Sequence, residues 1–204
     1  MTTHMQPPNT RGPLDHSVRE QIVLAATEHF AHYGFEKTTV SDLAKSIGFS
    51  KAYIYKFFDS KQAIGEVICS NRLALMTEHV TVKVTSAPSA TEKIRRLFSA
   101  LVEAGSDLFF HDRKLYDIAA VASRDRWPST QLYEQQLQKM LEDILIQGRQ
   151  DGEFERKTPL DELVNAVYMV MRPYVMPVQL QYNLDIANSS AVQLSALILR
   201  SLSP

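Results

Sequence analysis

The segment from Thr38 to Lys61, TTVSDLAKSIGFSKAYIYKFFDSK, constrains the fold more than any other part of the chain. Thr39 and Asp42 form a capping box in which Asp takes the usual place of Glu or Gln, so this pair predicts a helix start. Gly48 can adopt the positive φ that ends this helix, and Ser50 is a suitable N-cap for a second one. The pattern therefore predicts two short helices joined by a tight turn, which is the arrangement of a helix-turn-helix.

Apolar residues give each of these helices one buried side. In the first helix they recur at i, i+3, i+4 and i+7, which is the helical period. These residues are Val40, Leu43, Ala44 and Ile47. The second helix, predicted from about Lys51 to Phe58, turns Ile54 and Phe58 inward. A basic and aromatic outward face of this kind suits phosphates and base edges. Its residues are Lys51, Tyr53 and Lys56.

Four blocks of this region together resemble the N-terminal domain of TetR-family transcriptional regulators. The blocks are Gly34-Phe35-Glu36-Lys37-Thr38-Thr39-Val40, Leu43-Ala44, Ile47-Gly48-Phe49-Ser50 and Ile54-Tyr55-Lys56-Phe57-Phe58-Asp59-Ser60-Lys61. The resemblance covers roughly residues 17 to 68, and beyond it the chain is similar to the family in length and helical layout. Tyr53 stands where the family usually has Thr, and Phe57 stands where it often has His.

The resemblance implies an all-α fold, with an N-terminal three-helix helix-turn-helix domain and a C-terminal helical ligand-binding and dimerisation domain. It also implies a set of residues at the DNA: Thr39, Ser50, Lys51, Ala52, Tyr53, Tyr55, Lys56 and Lys61. Thr39 and Lys61 lie at helix N-termini, where backbone donors and the helix dipole attract a phosphate. The alternatives are that Lys51 and Lys56 are ordinary solvated lysines, and that the Tyr53 and Tyr55 rings only pack against their neighbours.

Composition places the chain among globular proteins that fold without disulfides. A chain of 204 residues buries about 70% of its unfolded surface on folding. Cys69 has no partner for an intramolecular disulfide, and the first residues have neither the charged region nor the apolar stretch of a signal peptide. No apolar run reaches the roughly 20 residues that span a bilayer. We therefore expect a cytoplasmic protein with no membrane partner.

Charge is unevenly distributed along the chain, although its net value is only −1. From Lys37 to Lys61 there are five lysines against two aspartates, a net charge of +3. From Gln62 onward, fifteen Lys and Arg face seventeen Asp and Glu, a net charge of −2. The basic charge therefore lies in the predicted helix-turn-helix, as the neutralisation of DNA phosphates requires.

The chain is predicted to divide into a flexible arm at residues 1–14, a helix-turn-helix domain at 15–61 and a helical domain at 62–204. The arm is polar and contains three prolines, and Arg11 within it could alternatively reach a DNA minor groove. A capping box at Ser17–Glu20 predicts the start of the first helix. Its buried side is expected to contain Ile22, Ala26, Phe30 and Tyr33. Further helices are predicted from Ser60 to about Val84, from Ser89 onward, and at about 112–124, 130–151, 159–176 and 185–202.

Two C-terminal segments carry additional information. The segment Ile186–Leu202 is apolar on all sides, so it must be covered on both faces, either within one chain or by a second subunit. We favour a homodimer with Leu194 and Leu197 in its interface, because helix-turn-helix proteins commonly pair on palindromic DNA and the resemblance implies it. The segment Met169–Pro177 contains two prolines, which must kink or end a helix because each removes a backbone donor.

The C-terminal helices contain many aromatic residues, most of which belong to the core. The resemblance to ligand-responsive regulators nevertheless implies an apolar pocket for an effector of unknown identity. The residues expected there are Phe109, Tyr116, Trp127, Tyr168 and Arg172. Arg172 either anchors an acidic effector or pairs with a buried carboxylate. His29 and His32 have no further ligand nearby in sequence, so no metal site is predicted, and we find no catalytic motif or cofactor-binding loop.

These observations predict a ligand-responsive, DNA-binding transcriptional regulator that is not an enzyme and has no cofactor. In the favoured hypothesis it is a repressor that binds a palindromic operator as a homodimer and is released by a small apolar or aromatic effector. The alternative is a helical small-molecule-binding or protein-interaction module whose helix-turn-helix does not contact DNA. The basic outward face favours the first hypothesis, because a module freed from DNA has no need of such a face.

Overall fold

The computed structural model describes residues 13–204, and within that range the chain forms ten α-helices and no strand. The helices are α1 (Pro13–Tyr33), α2 (Val40–Ser46), α3 (Lys51–Ile54), α4 (Lys61–Thr85), α5 (Ala90–His111), α6 (Arg113–Arg124), α7 (Pro128–Gln150), α8 (Leu160–Val175), α9 (Pro177–Leu180) and α10 (Ala187–Ser201). The all-α prediction is confirmed. None of the described helices combines the length and the apolar character needed to cross a membrane.

Helix α1 begins earlier than the sequence indicated. It starts at Pro13, whose fixed φ suits the first helical position, so the chain is already helical at the predicted end of the arm and continues through the Ser17–Glu20 capping box. The rest of the predicted arm, with Arg11, lies outside the described residues. Ile22, Ala26 and Phe30 are buried as predicted, whereas the Tyr33 ring is exposed near the end of the helix.

The capping predictions for α2 and α3 are confirmed. The Thr39 side chain accepts a hydrogen bond from the Asp42 N–H, the Asp42 carboxylate accepts one from the Thr39 N–H, and Ser50 accepts one from the Tyr53 N–H. The predicted end of α3 is wrong, because the regular helix stops at Ile54 rather than Phe58. The N–H groups of Lys56 and Phe57 bond to carbonyls three residues back, at 3.1 and 2.9 Å, which tightens the chain into a turn.

The C-terminal helices pack around α4 and α5. Helix α4 contacts α5 and α7, while α5 also contacts α8 and α10, and this packing buries one continuous apolar core. Pro173 removes one backbone donor near the end of α8, which stops at Val175, and Pro177 begins the separate short helix α9. The prolines therefore break the helix as predicted, although the sequence did not indicate α9.

Two ways of covering helix α10 were predicted, within one chain or by a second subunit; the described residues of the single chain cover only one side of it, and coverage by a second subunit stays a prediction. Ala191, Ser195 and Ile198 are buried, and α10 packs mainly on α5. Val192 and Leu197 on its other side are exposed, as are Met169 and Val170 on α8. A row of apolar side chains on two neighbouring helices is therefore left at the surface of the single chain.

The loop after α7 fixes the start of α5. Gly152 at its tip has φ +75°, and the next residue, Glu153, directs its carboxylate to the N-terminus of α5. The two carboxylate oxygens accept hydrogen bonds from the N–H groups of Ala90 and Thr91, each at 2.9 Å. Burial alone raises the pKa of Glu153, but the bonds from Thr91 and Ala90 outweigh it, so that the net pKa is lowered. The carboxylate thus acts as a helix cap from a distant part of the sequence.

We expect Glu153→Gln to lower the free energy of unfolding at neutral pH by about 1 kcal/mol, the usual contribution of a helix cap. Because the folded pKa is lowered, this contribution is complete above the unfolded pKa of about 4.3 and is lost as the pH falls through the folded value. Urea unfolding of both proteins between pH 3 and 7 measures the difference. Glu78→Gln, at an exposed position within α4, is the matched control. A difference that stays constant across this pH range contradicts the capping role.

Candidate DNA interface and effector cavity

Helix α3 and the turn that follows it, residues 51–57, present a basic face to solvent, which we call the α3 face. Lys51, Ala52, Tyr55 and Lys56 are exposed, and Ile54 anchors the segment in the core with no exposed surface. Neither Lys51 nor Lys56 forms an ion pair with any of residues 16–204, whose side chains are described, since the salt bridges there all involve other groups. Both ammonium groups are therefore free to neutralise phosphates.

The aromatic rings of this face are held in fixed positions. Tyr53, predicted to point outward, is half-buried between Phe49 and Phe57, with ring centroids 5.0 and 5.3 Å away in edge-to-face arrangements. The Lys56 Nζ lies 5.5 Å from the Tyr53 ring, and the Lys51 Nζ lies 5.8 Å from the Tyr55 ring. Such cation–π contacts restrict the lysines while leaving their ammonium groups in water. The Phe57 ring thus supports Tyr53.

The two N-cap side chains use part of their hydrogen-bonding capacity within the chain. The Thr39 hydroxyl donates to the Asp42 Oδ2 at 2.6 Å, and the hydrogen bonds from Thr39 lower the pKa of this carboxyl. The Ser50 hydroxyl oxygen accepts from the Tyr53 N–H at 3.1 Å, which leaves its proton for another acceptor. The Ser50 hydroxyl can therefore donate to a phosphate while it caps α3. The Thr39 hydroxyl already donates its proton to Asp42 within the capping box.

Lys61 has a role that the sequence did not indicate. Its Nζ donates to the carbonyl oxygens of Phe35 and Glu36 at 2.9 and 3.4 Å, and it lies 4.5 Å from the Phe35 ring centroid. Burial lowers the pKa of this ammonium. The position at a helix N-terminus was predicted correctly, but the side chain turns inward to close the loop between α1 and α2. This geometry disfavours the predicted contact between Lys61 and DNA.

Replacing Lys61 with Met should lower the free energy of unfolding by about 1–2 kcal/mol, because two carbonyl groups lose a charged donor. The salt dependence of DNA binding should stay unchanged, since no phosphate contact is removed. Lys37→Met, in the same loop but exposed, is the control and should leave stability unchanged. A salt slope reduced by about one per subunit in the Lys61 variant would restore the original assignment.

A narrow cavity of about 20 Å³ lies among the C-terminal helices. Helices α4 to α9 all contribute to its wall, which is mostly apolar. The lining residues are Leu73, Met76, Gly105, Leu108, Tyr116, Ala119, Ser123, Thr130, Tyr133, Glu134, Tyr174, Val175, Met176, Pro177 and Leu180. A space of this size holds about one water molecule, so a larger ligand must push the lining residues apart.

Of the five residues predicted to bind the effector, only Tyr116 lines this cavity. Its hydroxyl donates to the Pro177 carbonyl, and burial raises its pKa to about 12. Phe109 packs edge-to-face against Tyr116 but is not part of the cavity wall. Tyr168 contributes to a surface groove between α7 and α8. Arg172 forms no salt bridge with a carboxylate of residues 16–204, the part of the chain whose side chains are described, so the predicted pairing is not observed there.

Trp127, the fifth predicted residue, lies where the N-terminal and C-terminal helices meet. It is buried, and its ring meets Phe35 edge-to-face at a centroid distance of 5.5 Å. Gly65 of α4 makes this contact possible, because a Cβ there would lie 2.8 Å from Phe35 Cε2 and 3.0 Å from Trp127 Cη2. We call these three residues the junction. Trp127 was predicted to contact the effector directly, and the structure instead gives it a place between the helices that face DNA and those that line the cavity.

Polar contacts hold the junction from two sides. The Glu66 Oε1 accepts a hydrogen bond from the Ser129 N–H at 3.3 Å, which ties the first turn of α7 to α4. Arg124 at the end of α6 lies 3.8 Å from the Glu36 carboxylate. Thr130, which lines the cavity, donates through its hydroxyl to the Trp127 carbonyl at 2.8 Å. The cavity wall and the junction are thus one turn of helix apart.

Glycines inside helices are a sequence signal for these close contacts. A glycine inside a helix is unfavourable, and it usually marks a close approach of another group. Gly65 lies inside α4 and faces Phe35 and Trp127, while Gly105 lies inside α5 and faces Leu180 across the cavity. Tyr133 and Glu134 carry no comparable signal, because their position on the cavity depends on packing between helices that are distant in sequence.

Two family models match the sequence. The model described as bacterial regulatory proteins, tetR family, matches residues 22–67. The model described as tetracyclin repressor-like, C-terminal domain, matches residues 90–193, about half of the chain. The two matches together include α3, the junction residues Phe35, Gly65 and Trp127, and most of the cavity wall.

Curated relatives and solved structures agree with these matches. The HTH-type transcriptional repressor KstR2 of Mycolicibacterium smegmatis is 28% identical over 163 residues, which cover 76% of this chain and 75% of that protein. The fold is similar to that of the fatty acid degradation regulator FadR of Bacillus halodurans, with a TM-score of 0.64, 18% identity and coverage of 94% and 97%. It is also similar to the ketosteroid transcriptional regulator KstR2 of Mycobacterium tuberculosis, with a TM-score of 0.54, 24% identity and coverage of 92% and 95%.

Proposed function

We propose that this chain represses transcription from a palindromic operator until a small effector enters its C-terminal helices. The chain belongs to the TetR family of bacterial regulatory proteins and is a DNA-binding transcriptional regulator. The observation that carries the proposal is the exposed α3 face, where Lys51 lies over the Tyr55 ring and Lys56 over the Tyr53 ring, both without ion pairs among the described residues. The described repressor from M. smegmatis supports repression rather than activation.

In this proposal residues 15–61 form the DNA-binding domain and residues 62–204 form the ligand-binding and dimerisation domain of a cytoplasmic, non-enzymatic protein. Six residues remain our candidates for DNA contact: Ser50, Lys51, Ala52, Tyr53, Tyr55 and Lys56. The half-buried Tyr53 contributes only its exposed edge. Thr39 is proposed to act through the backbone at the start of α2, whose N–H groups face a phosphate more readily than its bonded hydroxyl.

We expect operator binding to weaken steeply with salt. If Lys51 and Lys56 each neutralise one phosphate, each Lys→Ala substitution should reduce the slope of log affinity against log salt by about 0.9 per subunit. Fluorescence anisotropy with the promoter duplex of the neighbouring gene, at four salt concentrations, measures this slope. Lys157→Ala, at an exposed site far from α3 in sequence, is the control. Slopes that match the wild type in both α3 variants would contradict the proposed interface.

The homodimer is proposed to form through the exposed sides of α8 and α10. Both helices leave apolar residues at the surface of the single chain, namely Met169, Val170, Val192 and Leu197. Two helices from each of two subunits would cover these residues in a self-complementary contact, as a two-fold interface requires. This contact would place two α3 faces on one palindromic duplex.

Leu197→Asp should convert the dimer to a monomer and abolish operator binding, because it places an unpaired charge inside the interface. Val82→Asp is a closely matched control, since Val82 is 61% exposed on α4 and Leu197 is 55% exposed on α10. Sedimentation at micromolar concentration should show a dimer for the control and a monomer for the Leu197 variant. A wild-type protein that sediments as a monomer, or a Leu197 variant that remains dimeric, rules out this interface.

A further inference from the structure

The mostly apolar wall of the cavity contains several polar side chains. Most of its polar side chains are already bonded within the protein: Tyr116 donates to the Pro177 carbonyl, Thr130 donates to the Trp127 carbonyl, and the Ser123 hydroxyl donates to the Met176 sulfur at 3.4 Å. The Tyr174 hydroxyl lies near Ser190, and burial raises its pKa. Two neighbouring residues of α7, Tyr133 and Glu134, supply a further donor and a further acceptor at the wall.

The Tyr133 hydroxyl is a donor that opens onto the cavity. The residue is only 4% exposed and lines the cavity, and its hydroxyl makes no hydrogen bond to any of residues 16–204, whose side chains the structure describes. Burial raises the pKa of this phenol, so it stays protonated and can donate. A buried hydroxyl without a partner destabilises the folded state, and such groups in native proteins usually face something that satisfies them.

Glu134 supplies the complementary acceptor. One of its carboxylate oxygens, Oε2, accepts a hydrogen bond from the Tyr168 hydroxyl at 3.0 Å. This bond holds the half-buried carboxylate at the cavity wall and leaves it the capacity to accept further hydrogen bonds, because an ionised carboxylate has about four acceptor sites. A hydrogen-bond donor and a hydrogen-bond acceptor thus line the same small space.

We propose that the effector is a neutral, largely apolar molecule that carries a hydroxyl group, and that Tyr133 and Glu134 recognise this group together. The effector oxygen accepts a hydrogen bond from the Tyr133 hydroxyl, while the effector hydroxyl donates one to the Glu134 carboxylate. This inference rests on the proposed function, since it identifies the chemistry of the molecule that releases the operator.

The charge of the wall excludes an acidic effector from this cavity. No Lys, Arg or His contributes to the wall, and Glu134 is its single charged residue in the described part of the chain. An effector carboxylate would therefore meet a like charge without any cation to compensate it. Arg172, which was considered as an anchor for an acid, does not line the cavity.

The wall can open to admit such a molecule. Met76 and Met176 line the cavity, and their unbranched side chains adapt readily to a new neighbour. Leu180 of the short helix α9 fills the space opposite Gly105, where a Cβ would lie 2.4 Å from Leu180 Cδ2. Movement of these three side chains enlarges the cavity and leaves Tyr133 and Glu134 at its wall.

The test compares aromatic probes that differ only in their polar group. Phenol, 2-naphthol and 4-phenylphenol are each paired with the compound in which a methyl group replaces the hydroxyl, and 2-naphthoate is added as the anionic probe. Calorimetry and the melting temperature report binding to the full chain, its Tyr133→Phe and Glu134→Gln variants, and Tyr182→Phe. The last variant removes a hydroxyl from a tyrosine that is 78% exposed, and it is the matched control.

At least one hydroxyl compound should bind the wild type about tenfold or more tightly than its methyl partner, because a site built for a hydroxyl leaves its own polar groups unpaired with the analogue. The Tyr133 and Glu134 variants should lose most of this preference, and the Tyr182 variant should keep it. Equal binding of hydroxyl and methyl partners, stronger binding of 2-naphthoate, or no binding by any probe would overturn the proposal.

Operator binding is measured separately in the absence of probes. If the promoter duplex is bound and the hydroxyl preference is absent, this inference fails while the proposed function stands. If the hydroxyl preference is present but no promoter duplex is bound, the proposed function fails while the chemistry of the cavity stands. If the hydroxyl preference is present and the promoter duplex is bound, release of the duplex by the hydroxyl probes supports both this inference and the proposed function.

Discussion

The edge-to-face contact between Trp127 and Phe35 over Gly65 is the interaction on which the rest of this structure depends. Phe35 lies in the loop between α1 and α2, while Trp127 immediately precedes α7. Gly65 lets both rings rest on α4, because any side chain there would meet them at about 3 Å or less. The helices that present α3 to DNA are therefore seated on the helices that enclose the cavity. A change in the position of α7 relative to α4 must move the loop that supports α2, or else open a buried aromatic contact.

This arrangement gives the regulator a short physical path between its two proposed sites. Thr130 belongs to the cavity wall and also bonds to the Trp127 carbonyl, so a ligand that displaces α7 acts on the junction within one helical turn. The cavity is too small for a ligand in the structure described, with a volume of about 20 Å³. Binding therefore requires displacement of the wall. The same displacement can tilt α4 and so change the distance between the α3 faces of the two subunits in the proposed dimer. Operator and effector must then weaken each other by the same factor.

Features that depend on residues close together in sequence could be predicted from the sequence. The helix starts at Thr39, Ser50, Ser60 and Ser89 follow from a side chain that bonds within three residues, and all four are confirmed. Three other features could not be predicted, because each depends on how separate helices pack. They are the inward orientation of the Lys61 side chain, the contact of Trp127 with Phe35, and the position of the Tyr133 hydroxyl at the cavity. The resemblance implied an effector pocket among the C-terminal helices, but only Tyr116 among the five candidates lines the cavity found there. Periodicity gives the buried face of a helix and not the residues that it packs against.

Trp127 fluorescence during a titration with operator DNA tests the central claim most directly, because Trp127 is the single tryptophan of the chain and lies in the junction. If the junction couples α3 to the cavity, its emission should change saturably, with the same midpoint as the mobility shift of the promoter duplex. A scrambled duplex of equal length should leave the emission unchanged over the same range. Complete binding of the promoter duplex with no change in Trp127 emission would contradict the account.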